Sequence, residues 1–210
     1  MNMKHIATGF CIAAMVSVGM AQTSPVPTAP GTVSNPRDTP MTKNVKTLDE
    51  ADRTFVANAA VGGMFEVQSS EIATTAAQNQ AIKAFAQQMI QDHTKANQEL
   101  KQLAAGKHVP VPQTLDMKHA KLLQKVGSAQ GKNFDKAYVA AQLKAHKEAV
   151  ALFKNAAENA KDPDLKQFAA KTLPTLQHHL KEAKSLPGAD QVTTQKAKKA
   201  KKAGASQSSE

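Results

Sequence analysis

Apolar residues recur at every third or fourth position through four long segments of the chain, which is the period of α-helices that bury one face. The clearest segment is residues 81–105, where one stripe is apolar and the opposite face carries lysines and glutamines. His93 interrupts that apolar stripe. A single histidine in such a row is most often a packed core residue, so its meaning depends on what the other helices contribute.

Three further segments repeat this pattern. Polar residues around Asn79 predict a tight turn, whereas a Val-Pro-Val-Pro run after Gly106 predicts an extended crossover. Two helical hairpins joined by a long crossover predict an all-α four-helix bundle. The predicted long helices cover residues 48–77, 81–105, 134–160 and 163–186, with a short extra helix over residues 114–126 in the crossover.

Local signals indicate where two of these helices begin. Thr47 and Glu50 have the spacing of a capping box at the start of the first helix. Asp162 followed by Pro163 predicts the N-cap and the first helical residue of the fourth long helix.

Two adjacent glycines, Gly62 and Gly63, lie in the middle of the first predicted helix. Each costs about 1 kcal/mol of helix stability relative to alanine. We therefore expect either the close approach of a neighbouring helix or a local bend at these positions.

The two halves of the predicted bundle also resemble each other in sequence. The run AIKAFAQQMI in the second helix is similar to DLKQFAAKTL in the fourth, which aligns Lys83 with Lys166 and Phe85 with Phe168. The halves therefore look like copies of one helical hairpin.

Each long helix places one side chain that can bind a metal on its own apolar stripe. An antiparallel hairpin places residues that are equally far from its turn at the same height. At 1.5 Å per residue, the two candidate side chains of the first hairpin differ in height by about 4.5 Å, and the two of the second hairpin differ by about one or two residues. We therefore expect all four near one level of the bundle. They are Glu66, His93, His146 and His179.

Three imidazoles and one carboxylate suit Fe, Mn, Zn or Cu, and Asp92 and Glu71 are candidate additional ligands. The chain lacks the Glu-x-x-His repeats of di-iron bundles, which favours a mononuclear or structural site. The same residues also suit a buried hydrogen-bond network that fixes helix register without metal. His119 is expected to be partly exposed, and His178 is expected to face solvent.

The first 21 residues have the features of a secretory signal peptide: a basic start at Lys4, an uncharged apolar run and small residues at the end. Cys11, the single cysteine, lies inside it, so the mature chain would have no thiol chemistry. Residues 22–46 are a Pro-rich linker. We expect an exported protein, periplasmic or secreted, without a transmembrane segment in its mature form.

The net charge is +10, and its distribution is uneven because five lysines crowd the last fifteen residues. Residues 188–210 are rich in lysine and alanine and are expected to be disordered. For an exported protein, the accessible partner of such a tail is an anionic envelope surface, and no specific nucleic acid is expected. A solvated tail without a partner is an equally open alternative. The sequence does not indicate the oligomeric state.

Four runs, in this order, resemble a bacterial family of exported domains of unknown function that is often given the label outer membrane protein. The runs are FVANAAVGGMFEV, IKAFAQQMIQDHTKANQEL, FDKAYVAAQLKAHKEAVALF and TLPTLQHHL. The resemblance implies a ferritin-like four-helix bundle over residues 47–187 with no assigned activity. The family pattern carries over Glu66, Asp92, His93, His146 and His179.

Together, these observations favour an exported ferritin-like bundle that binds a transition metal or protects the cell envelope. The alternative is a non-catalytic structural or interaction module of the envelope, with a buried Glu and His network and no metal. Nothing in the sequence decides whether the protein is an enzyme.

Overall fold

The computed structural model describes residues 48–190, which form five α-helices and, within that range, no β-strand. The predicted four-helix bundle with a short helix in its crossover is therefore confirmed. Predicted and observed helix ends differ by no more than a few residues. The helices are α1 (Glu50–Ala76), α2 (Gln80–Gly106), α3 (Met117–Gly127), α4 (Lys132–Asn159) and α5 (Pro163–Ser185).

The start of α1 differs from the predicted capping box. The N-cap is Asp49, whose carboxylate accepts a hydrogen bond from the backbone N–H of Ala51 at 2.8 Å. The box predicted from Thr47 and Glu50 is wrong, because the helix begins at Glu50 and a capping box needs its glutamate at the third helical position.

Capping at α5 is as predicted. Asp162 accepts a hydrogen bond from the N–H of Leu165, and Pro163 occupies the first helical position, where its missing N–H has no intrahelical partner to lose. Asn79 caps α2 in the same way through the N–H of Ala81. Short polar side chains thus end both hairpin turns.

Neighbouring long helices run antiparallel, and the crossover spans the length of the bundle. Lys107, directly after α2, pairs with Asp162 at 2.8 Å and with Asp164 at 2.7 Å, so the end of α2 meets the start of α5. The chain then returns to the opposite end before α4 begins. On the way, α3 packs against α1 and α4.

Each hairpin turn is capped by a carboxylate from the other hairpin. Asp135 of α4 accepts hydrogen bonds from the N–H groups of Gln78 and Asn79, at 3.0 and 3.2 Å. In return, the buried Asp52 of α1 accepts from the N–H groups at positions 161 and 162, at 3.2 and 2.7 Å. These reciprocal turn caps, made by Asp52 and Asp135, tie the hairpins together at both ends of the bundle.

Apolar side chains fill the bundle in two clusters with a polar layer between them. One cluster includes Phe65, Ile82, Phe85, Met89 and Tyr138. The other includes Phe55, Leu100, Phe153, Phe168 and Leu176. Along α2, α4 and α5 a histidine falls between the two clusters. The polar layer consists of these histidines and the buried polar residues beside them, and its members are Glu66, His93, Gln142, His146 and His179.

The two glycines of α1 have different surroundings. A Cβ at Gly63 would lie 1.9 Å from Oδ1 of Asn97 on α2, which confirms the close helix approach predicted there. A Cβ at Gly62 would meet nothing within 4 Å, so no neighbouring helix approaches closely there. Gly62 faces open space rather than a packed helix.

Several predictions concern parts of the chain outside the described residues. The signal peptide, the Pro-rich linker and most of the basic tail lie there. Across the described helices, none combines the length and apolarity that crossing a membrane requires.

Candidate metal centre

Three buried histidines from three helices meet at one level of the bundle. His93 of α2, His146 of α4 and His179 of α5 are 4%, 0% and 1% exposed. Their ring centroids lie 5.3 to 5.5 Å apart. One ring nitrogen from each lies within 4.8 Å of those of the other two. We refer to these three residues as the histidine cluster.

Each ring has a polar partner on one of its nitrogens. Nδ1–H of His146 donates to the backbone carbonyl of Gln142 at 3.1 Å, and because a carbonyl only accepts, Nε2 of His146 carries the lone pair. Nε2 of His179 pairs with the Asp92 carboxylate at 2.9 Å. Nδ1 of His93 pairs with Glu66 at 3.0 Å.

The second nitrogen of each ring has no hydrogen-bond partner within the described part of the chain. These atoms are Nε2 of His93, Nε2 of His146 and Nδ1 of His179. A buried nitrogen without a partner loses its hydration without compensation, which is unfavourable unless another group binds it. A cluster of three rings that each have such an atom is typical of a site that accepts a ligand.

Burial keeps the rings of the histidine cluster in the neutral form that binds metals. Burial, and then the charges of the other two rings, lower the pKa of His93 well below its usual range. Burial and the neighbouring His179 lower the pKa of His146 to about 4. Burial also lowers the pKa of His179, against the opposing effect of Asp92. At neutral pH all three rings therefore offer a lone pair.

Glu66 lies beside the histidine cluster rather than within the converging set of nitrogens. Its Oε2 pairs with His93, and its Oε1 lies 3.5 Å from Nδ1 of His146. Burial raises the pKa of Glu66 to about 8, so the carboxyl group resists ionisation unless positive charge is close. A cation held by the rings would favour the carboxylate, which then accepts from Nδ1 of His93.

The structure separates the two additional carboxylates proposed from the sequence. Asp92 is partly exposed and orients His179 from the surface side. Glu71 is exposed on α1 and does not belong to the cluster. His178 is 59% exposed and pairs with Glu182 on its own helix, and His119 is partly exposed beside Asp116, both as predicted.

Two further features of the site have no signal in the sequence pattern. The acceptor for His146 is a backbone carbonyl, which any residue at position 142 would supply. The ring of Phe85 packs beside the histidine cluster, with its centroid 6.4 Å from that of His146 and 6.5 Å from that of His179. As a member of an apolar stripe, Phe85 is indistinguishable in sequence from the rest of the core.

The arrangement is chemically suited to holding a transition metal. Imidazole is a ligand for zinc, copper, iron and nickel, and a carboxylate or carbonyl on the outer nitrogen fixes the ring and raises its basicity. Nitrogens bound to one ion at about 2.0–2.1 Å lie at most about 4.2 Å apart. A modest inward movement of the rings would therefore bring them to bonding distance of one ion.

A family model described as a domain of unknown function, DUF4142, matches residues 37–186, which is more than half of the chain. This match confirms the resemblance to a family of domains without assigned function. None of the curated proteins is significantly similar to the chain.

Solved structures show the same ferritin-like type of helical fold. A DUF305 fragment from Deinococcus radiodurans has a TM-score of 0.59 and 10% identity, covering 66% of this chain and 96% of that one. CopM in its Cu(II)-bound form has a TM-score of 0.55 and 20% identity, covering 64% and 93%. CopM in an Ag-bound form has a TM-score of 0.53 and 21% identity over the same shares. At these identities the similarity concerns the fold alone.

Proposed function

We propose that this chain, which belongs to the DUF4142 family of domains of unknown function, binds one copper ion between His93, His146 and His179. The observation that carries the proposal is that three buried histidines each place one ring nitrogen within 4.8 Å of the other two. Each ring also has a nitrogen without a hydrogen-bond partner in the described part of the chain. Each ring is already oriented by a polar partner on one of its nitrogens, so little side-chain freedom is lost on binding.

Copper is the metal that this ligand set favours. Among divalent first-row ions, affinity for nitrogen ligands rises to a maximum at copper and falls again at zinc. The three rings supply no carboxylate oxygen of their own, which disfavours manganese. The choice of copper is supported by CopM, which is distant in sequence but similar in fold and has been solved in copper-bound and silver-bound forms.

Metal analysis of untagged protein tests the proposal. After chelation and reloading from an equimolar mixture of copper, zinc, iron and manganese, we expect about one copper per chain by mass spectrometry. The electron paramagnetic resonance spectrum of the Cu(II) form should show splitting from imidazole nitrogens. A chain that takes up no metal from the mixture would rule the proposal out.

A matched pair of variants locates the ion. His179→Ala should abolish stoichiometric copper binding, whereas His178→Ala, its exposed neighbour on the same helix, should keep it. Thermal unfolding of both metal-free variants reports whether His179→Ala still folds. Equal copper binding by the two variants would place the ion elsewhere.

The competing function is a structural hydrogen-bond network without metal. It is favoured by one observation: every ring of the histidine cluster already has a protein partner at 2.9 to 3.1 Å. In that case the variants at His93 and His179 would lose stability, while the wild-type chain would bind no copper. The metal analysis above separates the two functions.

We further propose that the protein acts outside the cytoplasm, at the cell envelope. Support comes from the signal-like first 21 residues and the lysine-rich C-terminal residues, which suit an anionic surface. Fusion of the full chain to alkaline phosphatase, which is active only after export, tests this. Activity that depends on residues 1–21 is the expected result, and an inactive fusion would contradict export.

A further inference from the structure

A cavity of about 440 Å³ lies beside the histidine cluster. Glu66 and His93 belong to its buried wall, and the exposed Asp116, Lys118 and Glu148 belong to its wall beside α3. The cavity therefore extends from the surface near the start of α3 to the polar layer. Its volume is within the range of about 300–1,000 Å³ typical of small-molecule pockets.

The wall combines an apolar body with a few hydrogen-bonding groups. Phe153 and Phe168, whose ring centroids lie 5.7 Å apart, form part of the apolar surface together with Leu176. Asn58 and Asn97 contribute amide groups. This composition is typical of pockets that bind an apolar ring or chain and orient it by one polar contact.

The titratable groups of the wall are already paired with one another, so the cavity offers no isolated charge to an ionic ligand. An ionised ligand would also lose its hydration at the buried end without a counter-charge. The pairs are Lys118 with Glu148 at 2.8 Å, Asp116 with His119 at 2.8 Å, and Glu66 with His93 at 3.0 Å.

Gly62 keeps this cavity open. It lies inside α1 and in the cavity wall, and a Cβ built there would meet nothing within 4 Å. Alanine has a higher helix propensity than glycine and would stabilise the helix at such a position. The space beside Gly62 is therefore available to a side chain, and the glycine leaves it empty.

We propose that this cavity binds a small uncharged organic molecule with an aromatic or aliphatic body and one hydrogen-bonding group. The body packs against the two phenylalanines, and the polar group reaches the amide and Glu66–His93 end of the wall. This inference does not depend on the metal, because the cavity is lined by only one member of the histidine cluster.

Fluorescence of N-phenyl-1-naphthylamine, an uncharged aromatic amine, tests the proposal on chelated full-length chain. The chain has no tryptophan and one tyrosine, so its own emission interferes little. We expect a saturable rise in probe emission with one site per chain. Because copper would quench the fluorescence of the probe, calorimetry measures its binding to the copper-loaded protein, and we expect a similar stoichiometry. Absence of saturable binding in both forms would overturn the proposal.

Two glycine-to-leucine variants decide whether the probe occupies this cavity. Gly62→Leu should fill the space and weaken probe binding at least tenfold. Gly106→Leu, where a Cβ also meets nothing within 4 Å but which is outside the wall, should bind as the wild type does. Equal binding by both variants would contradict the proposal, whereas unchanged copper uptake by Gly62→Leu keeps this test separate from the metal site.

A measurement on the wild-type chain keeps the test decisive if Gly62→Leu does not fold. Nuclear Overhauser contacts from the probe should reach the rings of Phe153 and Phe168. Contacts confined to residues outside the cavity wall would overturn the proposal.

Discussion

The three rings of the histidine cluster differ in the group that holds them. A backbone carbonyl holds His146, a buried carboxyl group holds His93, and a partly exposed carboxylate holds His179. Carboxylate partners of a metal-bound imidazole orient the ring and raise its basicity. Glu66 and Asp92 are therefore the side chains through which metal affinity can be changed without removing a ligand.

Asp92→Ala should weaken copper binding by about 10- to 100-fold, because His179 loses the group that fixes its tautomer and orientation. Competition with a chromophoric copper chelator measures the change. Glu99→Ala is the matched control, since Glu99 pairs with Lys171 across the same two helices at 2.8 Å but does not contact a histidine of the cluster. Equal losses in both variants would mean that the effect comes from helix contact alone.

Glu66→Gln should change how the stability of the metal-free protein depends on pH. The pKa of Glu66 is raised to about 8 in the fold from an ordinary value of 4.5, so between these values the folded state binds more protons than the unfolded state. Wild-type stability then falls as pH rises, by up to about 1.4 kcal/mol per pH unit relative to the glutamine variant.

Urea unfolding of both metal-free proteins from pH 5 to pH 9 measures this difference. It should grow up to about pH 8 and level off above it, where the carboxyl group is ionised in both states. Glu158→Gln, which changes an exposed carboxylate, should follow the wild type. A stability difference that does not vary with pH would show that Glu66 ionises normally.

Helix α1 contains two adjacent glycines with opposite roles. Gly63 lets Asn97 of α2 come within reach of the α1 backbone, whereas Gly62 borders the cavity. Both positions are helical and would gain stability from alanine on propensity alone. The difference in stability between the two alanine variants therefore measures how closely the neighbouring helix approaches.

Gly62→Ala should stabilise the fold by about 0.5–1 kcal/mol, because the new methyl meets no atom. Gly63→Ala should be less favourable than Gly62→Ala by about 1 kcal/mol or more, because Asn97 must leave its position. In an Asn97→Ala background the two changes should become similar. Chemical denaturation of the wild type and the five variants completes the cycle, and a difference that persists in the Asn97→Ala background would exclude Asn97 as its cause.

At the scale of elements, the sequence predicted most of what the structure shows. The spacing of apolar residues identifies the helices, because a helix that buries one face has an apolar residue at every third or fourth position. Asp162 and Pro163 also marked the start of α5. The start of α1 was misread because Asp49 and Thr47 are both competent caps, and only the observed first residue distinguishes them. Equal heights of three histidines could be counted from the turns.

The rotation of each helix about its axis could not be counted, and it decides which polar residues share the centre. Glu66 and the histidines all belong to buried stripes, yet the carboxyl group lies on the outer side of His93. Glu71 is only five residues further along α1 and is exposed. Side-chain length and helix rotation decide which of these residues reach the centre, and the spacing of apolar residues in the sequence does not reveal either.

At the scale of the whole molecule, the reciprocal turn caps hold the hairpins together at both ends. Asp52→Ala and Asp135→Ala should each destabilise the fold by about 1–2 kcal/mol, because each leaves two backbone N–H groups without their acceptor. Thermal unfolding of metal-free variants measures the loss. Glu158→Ala, at an exposed ion pair, should change stability by less than about 0.5 kcal/mol. Losses equal to that control would show that the caps contribute nothing.

The turn caps also relate the two halves of the chain. Asp52 and Asp135 have the same sequence separation as Lys83 and Lys166, the pair that aligns the internal repeat. At that separation His93 corresponds to Leu176, and His146 corresponds to Gly63. The aspartates of the turn caps thus repeat between the hairpins, whereas the histidines do not.

The turn caps repeat between the two hairpins whereas the histidines do not, and this difference affects how many metal ligands the bundle can offer. A pair of identical hairpins related by a twofold axis offers every side chain twice, so off-axis ligands around one point come in even numbers. Here the first hairpin supplies one imidazole and the second supplies two. Covalent fusion of two divergent hairpins is therefore what permits an odd number of nitrogen donors around a single ion.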